Sequence, residues 1–284
     1  WLVMEYGGSS LTKCVYEIRG EFLRGERLYR VSHLPLMQAM KRDVTVIKQV
    51  LRQLMSALVI LAEHHIVHSD IKPDNILVED DLRNGSPRCR FIDLGSAFTF
   101  DCPDSVALAT PEYMPPEALE ACAGRPGGIG GGGLGACRLS LGRSGIIGGA
   151  SGGGGRKSSA DLVPRFQKRS QPWSFDIWSL GTILLELCLG TPLWLSYKCR
   201  VADDTRLHCA ATGLFAVPGR DPDKILAKQA DALKQKGLQN ILRGAPGVPL
   251  GDGGLELLSA MLIWEPMDRI APQDALEHTW LQKD

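Results

Sequence analysis

Neither sign of charge is in excess in this sequence: 32 lysines and arginines stand against 32 aspartates and glutamates. That balance argues against a binder that relies on bulk positive charge to hold nucleic acid, although it leaves a local basic patch open. Cysteine pairs are missing as well. The eight cysteines (Cys14, Cys89, Cys102, Cys122, Cys137, Cys188, Cys199 and Cys209) are scattered and form no C-x-x-C unit. Such usage suits a reducing compartment better than a disulfide framework or a zinc site. The longest apolar run lies around Leu54 to Ala62 and falls short of the length needed to cross a bilayer. No secretory signal pattern opens the sequence. These absences point to an intracellular, cytoplasmic chain with no membrane span and no nucleic-acid partner.

The 284 residues suffice for one large domain or two small ones around a sizeable core. Residues 1–6 read as a strand, and the run Trp1-Leu2-Val3-Met4 has no partner before it, so the sequence is expected to be cut from something longer. Gly7-Gly8-Ser9-Ser10 reads as a break. From about 43 to 65, Ile47, Leu51, Leu54, Leu58 and Leu61 recur at spacings of four and three, which predicts one stripe on a long helix. A loop from His68 runs into a short strand ending near Leu77, and Cys89 to Asp93 forms another. Residues 174–189 are apolar nearly all round, the mark of a helix at the centre of a large core. Further helices are expected near 254–263 and 272–282, the last with Pro272 in its first turn and a poor cap in Ala271. The resulting fold class is α+β and mainly helical.

Between about 119 and 172 the texture changes. This stretch holds 16 of the 32 glycines and almost no large apolar residues. It reads as a disordered, basic, low-complexity insertion, because it has too little apolar surface to offset the entropy of ordering it. Gly128, Gly130 and Gly133 match a G-x-G-x-x-G phosphate cradle, but only through glycine abundance, with no strand before them and no helix after.

The informative chemistry starts at His68-Ser69-Asp70-Ile71-Lys72-Pro73-Asp74-Asn75. A carboxylate there can orient a hydroxyl and take its proton, an ammonium can neutralise a phosphoryl group, and an amide oxygen can ligate magnesium without adding charge. Eighteen residues beyond Asn75 lies Asp93, in Phe91-Ile92-Asp93-Leu94-Gly95, where a carboxylate follows an apolar strand and precedes a glycine. Asn75 and Asp93 make a hard, oxygen-only pair suited to magnesium on nucleotide phosphates.

Together these segments resemble the eukaryotic-type protein kinases of the serine/threonine class. His68 to Asn75 looks like their catalytic loop, and Asp93-Leu94-Gly95 like their magnesium-binding triplet. Thr110-Pro111-Glu112-Tyr113-Met114-Pro115-Pro116-Glu117 is similar to the end of their activation segment. Asp176-Ile177-Trp178-Ser179-Leu180-Gly181 is similar to the start of their central helix, and Leu2 to Tyr6 to the hinge strand. The resemblance covers about 1–118 and 173–284. It implies the C-terminal lobe of that fold, with short hairpins near the catalytic loop. Residues 1–8 would be the end of the N-terminal lobe and the hinge, residues 9–118 and 173–284 the lobe itself, and 119–172 the insertion.

The resemblance further implies ATP and Mg2+ as cofactors and a protein with Ser/Thr hydroxyls as partner. Asp70 and Lys72 would be catalytic, and Asn75 and Asp93 would hold the metal. Met4, Glu5, Gly7 and Leu77 would contact the nucleotide, and Thr110 would mark the serine/threonine activation segment. His68, Glu117, Asp176 and Arg269 would be structural, with Glu117 and Arg269 as an ion pair and Asp176 receiving N–H groups of the catalytic loop. The glycine-rich loop, strand lysine and helix glutamate of the N-terminal lobe are not in the sequence, so the chain alone is expected to bind nucleotide weakly and catalyse poorly. A pseudokinase or scaffold lobe is the alternative, and a small-molecule phosphotransferase a more distant one.

Two departures from the family pattern matter. Leu94 replaces a phenylalanine, an apolar filler for an apolar filler. Ser69 replaces the arginine that pairs with an activation-segment phosphate, which removes the cationic partner. Activity is therefore expected to be independent of phosphorylation at Ser96, Thr99 and Ser105. A triple alanine variant should transfer phosphate at close to the native rate, and a large drop in that assay would contradict the expectation.

Overall fold

The computed structural model describes residues 7–79, 87–101, 107–108, 110–123, 137–138, 170–202 and 206–283. The proposed strand over 1–6, with Met4 and Glu5, lies outside them, as does most of the 119–172 insertion. Where Gly7 to Ser10 suggest only a break, Ser9–Ser10 forms a short strand, β1, followed by helix α1 (Leu11–Val15). The chain then makes a hairpin that the pattern reading missed, β2 (Tyr16–Leu23) and β3 (Glu26–His33). Its two turn residues, Arg24 and Gly25, have φ of 51° and 83°. A two-residue turn with both φ values positive matches the right-handed twist of the strands it joins.

Helix α2 (Pro35–Arg42) leads to α3 (Val44–Glu63), whose first turn is capped by the Asp43 carboxylate accepting from Thr45 N–H at 2.9 Å. The expected stripe is real over most of its length: Ile47, Leu51, Leu54 and Leu58 are buried, and Leu61 is partly buried against the core. One expectation changes. At 20 residues, with a mean hydropathy of 1.5 over its most apolar window, α3 is long and apolar enough to span a membrane. In this structure it is a core helix. Its Lys48 donates to Lys283 O at 2.7 Å and its Arg52 to Leu281 O at 2.7 Å, which ties the end of the chain across its surface.

Strand β4 (Ile66–Val67) precedes the His68–Asn75 loop, which runs into β5 (Ile76–Glu79). Strand β6 (Arg88–Phe91) ends two residues before Asp93, which leaves the ladder with φ 65° and ψ 69°. Strands β1, β5 and β6 form one antiparallel sheet, and β4 pairs with β7 (Phe98–Thr99). Strand β8 (Ala107–Leu108) precedes helix α4 (Pro116–Ala123), which carries the helical chain past residue 119 into the proposed insertion and buries Leu119. Within that stretch β9 (Cys137–Arg138) pairs with β8.

Helix α5 (Ser174–Leu189) is the axis of the core, with every side chain from Ser174 to Cys188 buried. Gly190 at φ 71° ends it, where an added Cβ would meet the backbone of Gly247 at 2.9 Å. Strands β10 (Cys199–Ala202) and β11 (Leu207–Ala210) extend the first hairpin into a four-stranded sheet ordered β11-β10-β3-β2. Helices α6 (Pro222–Ala230), α7 (Leu238–Leu242) and α8 (Gly251–Met261) follow. The single helix expected over 272–282 is two, α9 (Pro272–Glu277) and α10 (Thr279–Gln282), broken where His278 turns extended. Ala271 makes no side-chain cap, as expected. The architecture is α+β and mainly helical.

Leu54 is 1% exposed at the centre of α3, whereas Ile60, on the same helix, is 58% exposed. Leu54→Ala should cost about 2–5 kcal/mol in urea unfolding, and Ile60→Ala about 0.5 kcal/mol or less. Equal losses would contradict this placement of the core.

Candidate active site

The loop from His68 to Asn75 is held from beneath by one carboxylate. Asp176 lies in the first turn of α5 and is 2% exposed. Its Oδ2 accepts from His68 N–H at 2.8 Å and its Oδ1 from Ser69 N–H at 3.0 Å. Presenting two successive N–H groups to one carboxylate requires an unusual backbone, and Ser69 has a φ of 63°. Burial lifts the Asp176 carboxyl to about 6, against the pull of those two N–H groups and of His68. His68 is fully buried. Its Nε2 donates to Ile92 O at 2.9 Å, and its Nδ1 accepts from Asp70 N–H at 3.4 Å. The imidazole is thus an architectural strut between the catalytic loop and the strand that delivers Asp93, and both of its nitrogens are engaged.

On this platform Asp70, Lys72, Asn75 and Thr110 converge. Lys72 Nζ lies 2.7 Å from Asp70 Oδ2 and donates to Thr110 Oγ1 at 3.0 Å. Thr110 Oγ1 in turn donates to Asp70 Oδ1 at 2.9 Å. Asn75 Nδ2 donates to the Asp70 carbonyl at 2.8 Å and to its carboxylate at 2.9 Å. The Asp70 carboxylate is therefore oriented by a cation, an amide and a hydroxyl, with 7% of the residue exposed. Asp93 stands apart from this network. It is exposed, and its carboxylate accepts from Gly95 N–H at 3.2 Å. Its strand is nonetheless joined to the loop, because Ile92 N–H donates to the Asn75 carbonyl at 3.0 Å.

An amide oxygen and an exposed carboxylate are the hard donors that magnesium takes when phosphates complete its shell. Asn75 and Asp93 supply donors of this kind, and among the described residues no cluster of three His, Cys, Asp or Glu side chains is placed to hold a metal. Gly7 and Leu77 are brought together: a Cβ added at Gly7 would lie 2.9 Å from Leu77 Cδ1. A cleft of about 360 Å³ nearby is lined by Lys13, Cys14, Leu34 and Val78. Val78 follows Leu77 on β5, so the cleft lies across the strand from the Gly7–Leu77 contact.

The remaining structural assignments also come together. Arg269 grips Glu117 with both arms, Nη1 to Oε1 at 2.6 Å and Nη2 to Oε2 at 2.7 Å. Its other hydrogen bonds go to the carbonyls of Ile263, Trp264 and Ser174, and its guanidinium lies 4.8 Å from the centre of the Trp178 ring. Burial pushes the Glu117 carboxyl up and the guanidinium opposes it.

Sequence reasoning missed a second buried acid. Glu186, 1% exposed on α5, accepts from Tyr113 Oη at 2.6 Å and from Leu193 N–H at 2.9 Å, both at Oε2. It fastens the activation-segment end to the core helix, helped by Ser179 Oγ donating to the Tyr113 carbonyl at 2.9 Å. The available signal was a glutamate inside an otherwise apolar helix. Glu112, 1% exposed, pairs with Arg220 at 3.1 Å, a contact that nothing in the spacing announces.

The protein kinase domain family matches residues 8–127. A protein of Arabidopsis thaliana named as a probable inactive protein kinase is 22% identical, over 99% of this chain and 80% of its own length. The chloroplastic serine/threonine-protein kinase STN7 of the same plant is 24% identical, over the whole of this chain and 44% of its own. Rat cyclin-dependent kinase 4 is 23% identical, over 85% of this chain and 61% of its own. Among solved structures, the autoinhibited serine kinase domain of titin covers 95% of this chain and 63% of its own, with 17% identity and a TM-score of 0.49. The chain is thus similar to the protein kinase domain over residues 8–127 and, at low identity, to named protein kinases along most of its length. It spans less than two thirds of the length of several of these relatives.

Burial holds the Glu186 carboxyl at about 7. A carboxyl whose folded pKa is raised makes the folded state the stronger proton binder. The stability it contributes is therefore full below the ordinary glutamate range and is lost as pH rises toward about 7. Glu186→Gln cannot ionise and keeps one oxygen for Tyr113 and Leu193. Native stability should fall relative to this variant by about 1.4 kcal/mol per pH unit across that window, read from urea unfolding at pH 5, 6 and 7. Parallel pH profiles would contradict the burial of a titrating acid there.

Proposed function

We propose that the chain is the phosphotransfer lobe of an ATP-dependent protein kinase acting on serine and threonine hydroxyls. The observation that carries the reading is the Asp70–Lys72–Thr110 triangle: a hydroxyl already sits 2.9 Å from the carboxylate and 3.0 Å from the ammonium. Asp70 would orient the acceptor hydroxyl and take its proton as the oxygen–phosphorus bond forms and ADP leaves. Lys72 would offset negative charge beside that carboxylate. Asn75 and Asp93 would hold magnesium, which when bound neutralises the nucleotide phosphates. Gly7 and Leu77 would bound the adenine site together with Met4 and Glu5. Kinase relatives at 22–24% identity over most of the chain support protein substrates. The scattered cysteines, with no C-x-x-C unit, support an intracellular, cytoplasmic setting.

A second reading rests on one observation, that a relative matched along 99% of this chain is named inactive. Under it the lobe is a binding scaffold. Against it stands the intact set of Asp70, Lys72, Asn75 and Asp93. The deciding experiment is phosphate transfer from labelled ATP to a panel of protein substrates by the full-length protein. Asp70→Asn should lower transfer about 10²–10⁴-fold with the unfolding midpoint little changed. ATP binding without transfer in the native protein would favour the scaffold.

A further inference from the structure

Strand β2 is an edge of the four-stranded sheet, and no described strand pairs with its outer side. Which of its backbone groups face outward can be read from its neighbour. Tyr29 N–H donates across to Lys198 O, away from β2, and Tyr29 lies directly opposite Gly20. Directly opposed residues in an antiparallel ladder either both bond inward or both turn away. Gly20 therefore turns its N–H and C=O outward, and so, by alternation, do Ile18 and Phe22. Such a row of unpaired groups is a template for another strand.

The side chains along that edge are complementary to themselves. We infer that β2 pairs antiparallel with β2 of a second copy of this chain, about a two-fold axis through Gly20, making one continuous eight-stranded sheet. In that register Gly20 meets Gly20, Ile18 meets Phe22 twice, and Arg19 meets Glu21 twice. All three even-numbered pairs use the outward-facing groups, each exchanging two hydrogen bonds. The Arg19–Glu21 pairs fall on the other face, with opposite charges directly opposed. Moving the axis to Arg19 sets Arg19 against Arg19 and Glu17 against Glu21. Moving it to Glu21 sets Glu21 against itself. Moving it to Ile18 again opposes Glu17 and Arg19, but because β2 begins at Tyr16 the paired run shrinks to Tyr16–Gly20 and Phe22 is left without a partner, so charge and length of overlap together select the register through Gly20.

Three further observations fit. Phe22 is 82% exposed, a large apolar side chain that the sheet of a single chain leaves uncovered. The glycine is not demanded by its own chain: a Cβ at Gly20 would have nothing nearer than Tyr29 Cε1 at 3.8 Å, an ordinary contact. Glycine inside a strand often marks close approach of another backbone. Arg19 and Glu21 are only loosely engaged within the chain, through exposed pairs with Glu17 and Arg30, both at 2.7 Å, and exposed pairs of this kind exchange partners at little cost.

The test is sedimentation velocity of the full chain over a concentration series, with Arg19→Glu and Glu21→Arg variants and circular dichroism to confirm that each folds. The native chain should shift from the mass of one chain to that of two as concentration rises. Each single variant opposes like charges twice and should stay at the mass of one chain over the same range. An equimolar mixture of the two variants opposes unlike charges again and should recover the dimer. A native chain that remains monomeric, single variants that dimerise as well as the native chain, or folded variants whose mixture stays monomeric would each overturn the inference. The first of these outcomes would leave the edge to a strand from a different protein.

Discussion

The whole site depends on one buried carboxylate at the end of a buried helix. Asp176 accepts two successive N–H groups from the catalytic loop, and Ser69 keeps a positive φ to present the second of them. Everything above inherits its position from those bonds. His68 is fixed by them and reaches Ile92, and Asp70 follows one residue after Ser69 into the reach of Lys72, Asn75 and Thr110. A carboxylate in so dry a place is itself destabilised in its charged form. The two N–H groups compensate, so loop and helix hold each other: the helix gives the loop its shape, and the loop makes the buried charge tolerable.

The same device recurs along α5. Glu186, ten residues further along the helix, accepts from Tyr113 and Leu193 and so binds the end of the activation segment to the helix that carries Asp176. Arg269 and Glu117 close the other side, with Arg269 also satisfying three backbone carbonyls around Trp178. Three buried ionisable groups on or against one apolar helix thus locate the catalytic loop, the segment bearing Thr110 and the last helices relative to one another. Thr110 can meet Asp70 because both of their segments are anchored to the same rod.

Much of this was legible in the sequence, for identifiable reasons. The stripe on α3 and the all-apolar α5 follow from periodicity, and the constellation of Asp70, Lys72 and Asn75 follows from residue types whose spacing serves one chemistry. Asp176 and the Glu117–Arg269 pair came through resemblance and stand where it put them. The β2–β3 hairpin was not seen because Glu17-Ile18-Arg19-Gly20-Glu21 carries alternating charge and a central glycine, neither of which resembles a strand that packs on a core. Strands β10 and β11 are stabilised by pairing with that hairpin, a long-range contact that no local pattern encodes. The break at His278 was missed because the apolar spacing continues through it. Glu112 meets Arg220 across more than a hundred residues, where spacing carries no signal.

The central claim is that Asp176 holds the backbone of the catalytic loop, and amide hydrogen exchange reads it without requiring activity. In the native chain the His68 and Ser69 amides should exchange slowly, near the rate set by global unfolding. In Asp176→Asn, which loses one acceptor oxygen, they should exchange much faster while amides of the β5–β6 ladder stay protected. Fast exchange of the His68 and Ser69 amides in the native chain would show that the carboxylate does not hold the loop, and the account of the site would fail with it.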